Sequence, residues 1–264
     1  MTFRSNPKAA LSALLMMVTI LFAGAVGAGQ PATSDGLHGK RILVLSKTAG
    51  YRHSSIPAGQ AALLELSRKY GFTTTFTEDT AEFTDSNLKQ FDAVVFLSTT
   101  GDIFGAAQQA AFERYIKAGH GLLGIHSAAD TETDGKWPWY TALIGARFRS
   151  HPAIQEARLV APDRTDQAII SSPSLKDLAE LKFVDEWYDF SNISSNVEPI
   201  LRIDRGSYQG STAVGLEPIV WRNRYSGGRA FYVGLGHREE SYASPIVQDL
   251  IVQGLRYAVG EARR

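Results

Sequence analysis

The chain has 264 residues, enough for one large domain or two small ones with a well-buried core. Charged residues make up 20% and hydrophobic ones 44%, and 27 basic residues balance 27 acidic ones, so no net charge draws the chain to nucleic acid or anionic membrane. There is no cysteine, which excludes disulfides, thiolate metal sites, a cysteine nucleophile and a lipidated cysteine.

Residues 1–28 have the layout of a secretory signal. Arg4 and Lys8 precede an apolar run from Ala9 to Ala25, and Val26 and Ala28 suit the positions before a cleavage site. The expected location is the periplasm or the exterior, with no membrane contact after the signal is removed. An uncleaved anchor is the alternative, because the run is near spanning length. Residues 29–39 are polar, with Gly and Pro, and read as a linker. The domain is expected over 40–264.

Arg41–Leu45 is a short apolar run suited to a buried strand. Pro57 opens a helix carrying Ala62, Leu63, Leu66 and Tyr70 on one side, and Gly71 ends it. Phe72–Phe76 reads as a strand, and Thr84-Asp85-Ser86 as a helix start. Ala93–Leu97 is a third strand, Gly105–Lys117 an amphipathic helix, and Gly121–Ile125 a fourth strand. This alternation implies right-handed βαβ units and a parallel sheet. From His151 to Pro218 the pattern is less regular and reads as an extension of the same domain. Ile219–Trp221 and Ala230–Leu235 are strands joined by a turn at Ser226-Gly227-Gly228, and a helix closes the chain from Ser244 to Val259.

Sites in open α/β sheets form at the carboxyl ends of the strands. The first strand leads to Arg52 and His53, the third to Asp102, the fourth to His126 and Ser127. Phe183-Val184 leads to Asp185, Glu186 and Tyr188, and the strand ending at Leu235 leads to His237 and Glu239. Three of the six histidines thus sit at equivalent positions, and His151 is a plausible fourth; His38 and His120 are expected to face solvent. Imidazole serves as acid, base or metal ligand. Neutral imidazoles with one carboxylate suit a divalent metal such as zinc, with His53, His126, His151 and His237 as candidate ligands. Asp185 and Glu186 are adjacent, so on a strand only one readily points into the site; a surface salt bridge is the other reading.

Ser127 has two readings. It is a nucleophile with His237 as base and Glu239 as orienter, or it caps the following turn, since His126 occupies the first turn position. Arg52, Asp102, Trp137 and Tyr188 are candidate substrate contacts. Aromatic residues among polar groups suit sugar rings, although core packing explains them equally. No G-x-G-x-x-G follows the first strand, so no nucleotide cofactor is expected.

Six stretches together resemble the ThuA-like (trehalose utilisation) family. They are Arg52-His-Ser-Ser55, Gly121–Ala129, Trp137-Pro-Trp-Tyr140, Phe148–Pro152, Asp185–Tyr188 and Gly234-Leu-Gly-His237. The resemblance implies an α/β, flavodoxin-like fold similar to class I glutamine amidotransferases. The amidotransferase cysteine is missing, with His126 near its elbow, while His237 and Glu239 resemble the His-x-Glu pair. One departure is Thr165-Asp166-Gln167, where many members carry a His-Pro pair. The resemblance points to a small-molecule sugar substrate, a disaccharide or its 3-keto derivative, and to glycoside processing. Non-catalytic sugar binding or an interaction role on a degenerate scaffold is the main alternative, and a serine hydrolase using Ser127 the third. The sequence leaves the oligomeric state open.

Overall fold

The computed structural model describes residues 36–161, 174 and 181–260, all within one compact unit spanning Ser34–Arg264. The proposed signal segment, most of the linker and Thr165-Asp166-Gln167 lie outside the described residues. No described helix is long and apolar enough to cross a membrane.

Strands β1 (Arg41–Leu45), β3 (Ala93–Leu97) and β4 (Gly121–Ile125) form the sheet centre, and β2 (Thr73–Thr77) lies outside β1. The threonine-rich β2 is half-exposed, whereas every residue of β3 and β4 is buried. Further along the chain come β5 (Arg147–Ser150), β6 (Gln155–Val160), β7 (Leu181–Asp185), β8 (Asp189–Ser191), β9 (Glu198–Asp204), β10 (Leu216–Tyr225) and β11 (Gly228–Val233). The main sheet runs β2-β1-β3-β4-β11-β10-β9-β6-β7, and β5 pairs with β8 in a two-stranded sheet. β2, β1, β3, β4 and β11 are parallel, in the flavodoxin-like order. The remaining strands alternate antiparallel, so β7 again points the same way as β11. The irregular region between His151 and Pro218 is thus an antiparallel extension of the parallel sheet.

Helices α1 (Ile56–Tyr70), α2 (Asp85–Leu88), α3 (Ala106–Lys117), α4 (Pro138–Ile144) and α5 (Pro245–Val259) cover the sheet. Alternation along β3 divides them. Phe96 stacks on Phe112 of α3 and Tyr140 of α4, while its neighbour Leu97 faces Gly59 of α1. A Cβ at Gly59 would lie 2.7 Å from Leu97 Cδ1, so only glycine lets α1 approach the sheet this closely.

The fold begins earlier than expected. Leu37, placed in the linker by composition, is 0% exposed and belongs to the core, and Gly39 N donates to Gly71 O. His120 also departs from expectation: it is half-buried and stacks on Tyr115, with ring centroids 4.2 Å apart.

Candidate functional site

The carboxyl ends of β1, β4, β11 and β7 deliver four side chains to one point. His53, His126, Glu186 and His237 each offer one ligand atom, and these atoms lie within 4.8 Å of one another. His53, His126 and Glu186 are 4%, 0% and 5% exposed, and His237 is partly open to solvent.

His126 directly follows β4 with φ 50°, at the head of a 3-10 turn over His126–Asp130. A non-glycine residue in the left-handed region costs about 1–3 kcal/mol and persists only where its surroundings hold it. Tyr232 Oη donates to His126 O at 2.7 Å. Beneath it, a Cβ at Gly124 would lie 2.5 Å from Ile144 Cδ1, so glycine is what fits there. His126 therefore occupies the strained strand–turn position that in an elbow carries the reactive residue. Ser98, the residue after β3 and register-adjacent to His126, has φ 49°.

His53 Nε2 lies 3.1 Å from His126 Nε2, and His126 Nε2 is 3.5 Å from Glu186 Oε2. His237 Nδ1 is 3.0 Å from the same Glu186 oxygen. Bonds of about 2.0–2.1 Å to one tetrahedral ion set neighbouring ligand atoms roughly 3.3–3.4 Å apart, close to these three separations, although the group as a whole spans up to 4.8 Å. The surrounding groups point the right atoms inward. His126 Nδ1 faces Gly234 O at 3.4 Å; a carbonyl only accepts, so Nδ1 carries the proton and Nε2 presents its lone pair. His53 Nδ1 lies 3.3 Å from Ser127 Oγ, leaving its Nε2 for the cluster. His151 Nδ1 is 3.0 Å from Glu186 Oε1, the oxygen that faces away from the other histidines.

The electrostatics agree. Burial, together with the neighbouring rings of His126 and His237, lowers His53 to about 3, so it is neutral at ordinary pH. Burial pushes Glu186 up, but the His126 and His237 rings beside it outweigh this and hold it at about 2. The Glu186 carboxylate 3.0 Å away raises His237.

Asp185, the last residue of β7, is 0% exposed and is outside the ligand group. Its Oδ2 accepts from Gly236 N and Ser241 Oγ, each at 2.8 Å, and its Oδ1 from His237 N at 3.1 Å and Glu186 N at 2.9 Å. It anchors the loop that carries His237. Ser55 Oγ donates to Gly236 O at 2.8 Å and ties the β1 loop to the same place.

Several sequence candidates sit elsewhere. Glu239 is exposed and makes no contact with His237 among the described residues; Glu186 stands in its place. Ser127 is fully buried beside His53, so the alternative reading of it as a nucleophile in a triad with His237 and Glu239 is not met. Arg52 is exposed and held by both oxygens of Glu78. Asp102 is exposed, 3.6 Å from Lys136 Nζ. Trp137 is buried against Phe104 and Phe112, with its indole N–H on Glu113 Oε1, which is a packing role. Tyr188 does line the site: its ring centroid is 4.6 Å from that of His126. His151 touches Glu186 but is outside the four-atom ligand group.

Sequence reasoning missed Asp130, at the end of the turn that His126 begins. Burial raises its carboxyl to about 6, against the opposing pull of His126. It lies four residues beyond the strand end, at the end of the 3-10 turn.

The ThuA family, described as trehalose utilisation, matches residues 41–258. A ThuA-like protein from Bacteroides uniformis is similar in structure: TM-score 0.70, 24% identity, covering 89% of this chain and 97% of that one. A ThuA-like protein from Parabacteroides merdae gives a TM-score of 0.63 at 19% identity, covering 84% and 91%. The β-galactosidase from Bacillus circulans matches more distantly, at TM-score 0.51 and 12% identity, over 84% of this chain and 31% of its own. No curated protein matches. Identities this low show the shared fold.

Proposed function

The chain belongs to the ThuA (trehalose utilisation) family, and from that premise we propose that it is an exported enzyme that processes a disaccharide or 3-keto-glycoside at the His53–His126–Glu186–His237 cluster. The observation that carries this reading is the convergence of the His53 and His126 Nε2 atoms to 3.1 Å beside the Glu186 carboxylate. His126 is fixed as a lone-pair donor by Gly234 O, and such a nest of buried donors suits a divalent cation such as zinc.

When bound, the metal supplies Lewis acidity that polarises a sugar carbonyl oxygen. The chain's own groups hold this arrangement. Ser127 and Gly234 O orient two imidazoles, His151 holds the second oxygen of Glu186, and Asp185 fixes the backbone under His237. Tyr188 gives an aromatic wall against His126. In a 3-keto-glycoside the glycosidic carbon is two bonds from the ketone, so loss of the intervening proton leads directly to cleavage of the glycosidic C–O bond. The competing serine-hydrolase reading has no support in the geometry, because Ser127 lies buried behind His53 without a carboxylate orienter.

The test is a screen of the mature protein against glycosides and their 3-keto derivatives, with and without chelator. Cleavage of a 3-keto-glycoside that chelator abolishes and metal restores is the expected result. Cleavage indifferent to chelator, or none with metal bound, overturns the reading.

A further inference from the structure

The cluster is closed on most sides. The side chains of His126, Glu186 and His237 are 0%, 7% and 19% exposed. His151 lies 3.0 Å from Glu186 Oε1, yet its side chain is 42% exposed. It therefore reaches from the buried carboxylate to solvent. It stands outside the four-atom ligand group, so holding a metal does not account for it.

The surroundings of His151 fix which way its ring faces. Nδ1 lies 3.0 Å from Pro152 O and 3.0 Å from Glu186 Oε1. A backbone carbonyl and an ionised carboxylate only accept, so Nδ1 carries the proton. In the neutral ring Nε2 then presents a lone pair, and it meets no partner among the described residues. The rings of Phe148 and Tyr188 lie 6.0 Å from the imidazole at interplanar angles of 31° and 28°, and they pack on each other at 4.3 Å. Tyr188 also packs on His126, so the same aromatic ring flanks both histidines. On the amino side β5 ends at Ser150, paired with Asp189 of β8, and on the other side Pro152 restricts the backbone. An imidazole held this way, with one nitrogen committed and the other open, is preorganised for a donor arriving from solvent. Sugar hydroxyls are such donors. Glu186 cannot serve them, because one oxygen faces His126 and His237 and the other faces His151.

We propose that His151 is a substrate-binding residue of this site, whose Nε2 accepts a hydrogen bond from one ring hydroxyl of the sugar seated at the cluster. The proposal rests on the function proposed for the cluster and adds to it a residue that reads the sugar's hydroxyl pattern.

The experiment measures binding by calorimetry to zinc-loaded protein. The probe is a C-methyl 3-keto-glucoside, whose anomeric C–C bond does not break, together with its 2-deoxy, 4-deoxy and 6-deoxy analogues. The proteins are the wild type, His151→Asn and His151→Gln, each with zinc affinity from chelator competition. Asparagine places an amide N–H near the position of Nδ1 and removes Nε2, whereas the glutamine amide reaches the position of Nε2. One neutral hydrogen bond corresponds to about 3–10-fold in affinity. Wild type is expected to bind one of the three analogues about 3–10-fold more weakly than the parent sugar. His151→Asn is expected to bind the parent that much more weakly and to lose the discrimination, with zinc affinity within threefold, and His151→Gln to regain part of the discrimination. If His151→Asn discriminates among the analogues as wild type does, the assignment is overturned while the proposed function stands. A more than tenfold loss of zinc affinity in His151→Asn shows a role towards the metal or Glu186 and also overturns it. No binding of the parent sugar by zinc-loaded wild type refutes the proposed function, and the assignment with it.

Discussion

Replacing Asp185 by alanine tests whether the loop carrying His237 is held in place from β7. The carboxylate is fully buried and accepts from Gly236 N, His237 N, Ser241 Oγ and Glu186 N. Hydrogen bonds to a charged group contribute roughly 1.5–3 kcal/mol each, and buried donors left without an acceptor carry their desolvation cost. The bonds share one carboxylate and do not add fully, so Asp185→Ala should cost about 3–5 kcal/mol. At roughly 2–4 °C per kcal/mol for a domain of this size, Tm should fall by about 6–20 °C. Because His237 N loses its anchor, zinc affinity should fall too, by about 10–100-fold, the usual effect of removing a group that orients a ligand. Urea unfolding of metal-free protein and calorimetric zinc titration read the two effects separately. A loss below about 1 kcal/mol with unchanged zinc affinity would refute the idea that this carboxylate positions the site.

Ser127→Ala should keep the fold and lower zinc affinity about 10–100-fold by freeing the His53 ring, and wild-type Ser127 should not react with a serine-directed phosphonate; labelling at Ser127 would instead revive a nucleophilic role. Asp189 is buried, which works to raise its carboxyl, but hydrogen bonds from Thr212 and Ser211 and the charge of Arg205 outweigh this and keep it below the usual carboxylate range. A depressed carboxyl contributes stability above its unfolded value, near ~4, and loses it as pH falls towards its folded value. Urea midpoints should therefore fall between about pH 5 and pH 3 by more in wild type than in Asp189→Asn; parallel curves would contradict the linkage. Leu37→Ala should cost about 2–4 kcal/mol in unfolding free energy, as for a core leucine, whereas a true linker residue would cost almost nothing.

The parallel half of the sheet was legible because β1, β3 and β4 are short apolar runs succeeded by glycine, helix or loop signals, and burial on both faces demands that pattern. The antiparallel half was less so: its strands carry exposed and half-buried residues in turn, as at Lys182 and Val184 of β7, and their pairing depends on distant partners. The polar residues just past the strand ends include His53, His126, Glu186 and His237, and these were found because topology puts those positions together. The same rule misplaced Glu239 and Arg52. Position after a strand fixes the backbone but not the direction of a side chain, and Arg52 turns to Glu78 while Glu239 turns to solvent. Leu37 was hidden in a polar context, where one apolar residue carries no periodicity.

The buried histidine–carboxylate cluster is proposed to hold a divalent metal. Metal analysis of the purified protein and of His126→Ala tests it most directly. Wild type is expected to hold close to one equivalent of metal, removable by chelator and restorable, and the variant to lose at least a hundredfold in affinity with the fold intact. Wild-type protein that binds no divalent metal after reconstitution, or binds it equally well without His126, would contradict it.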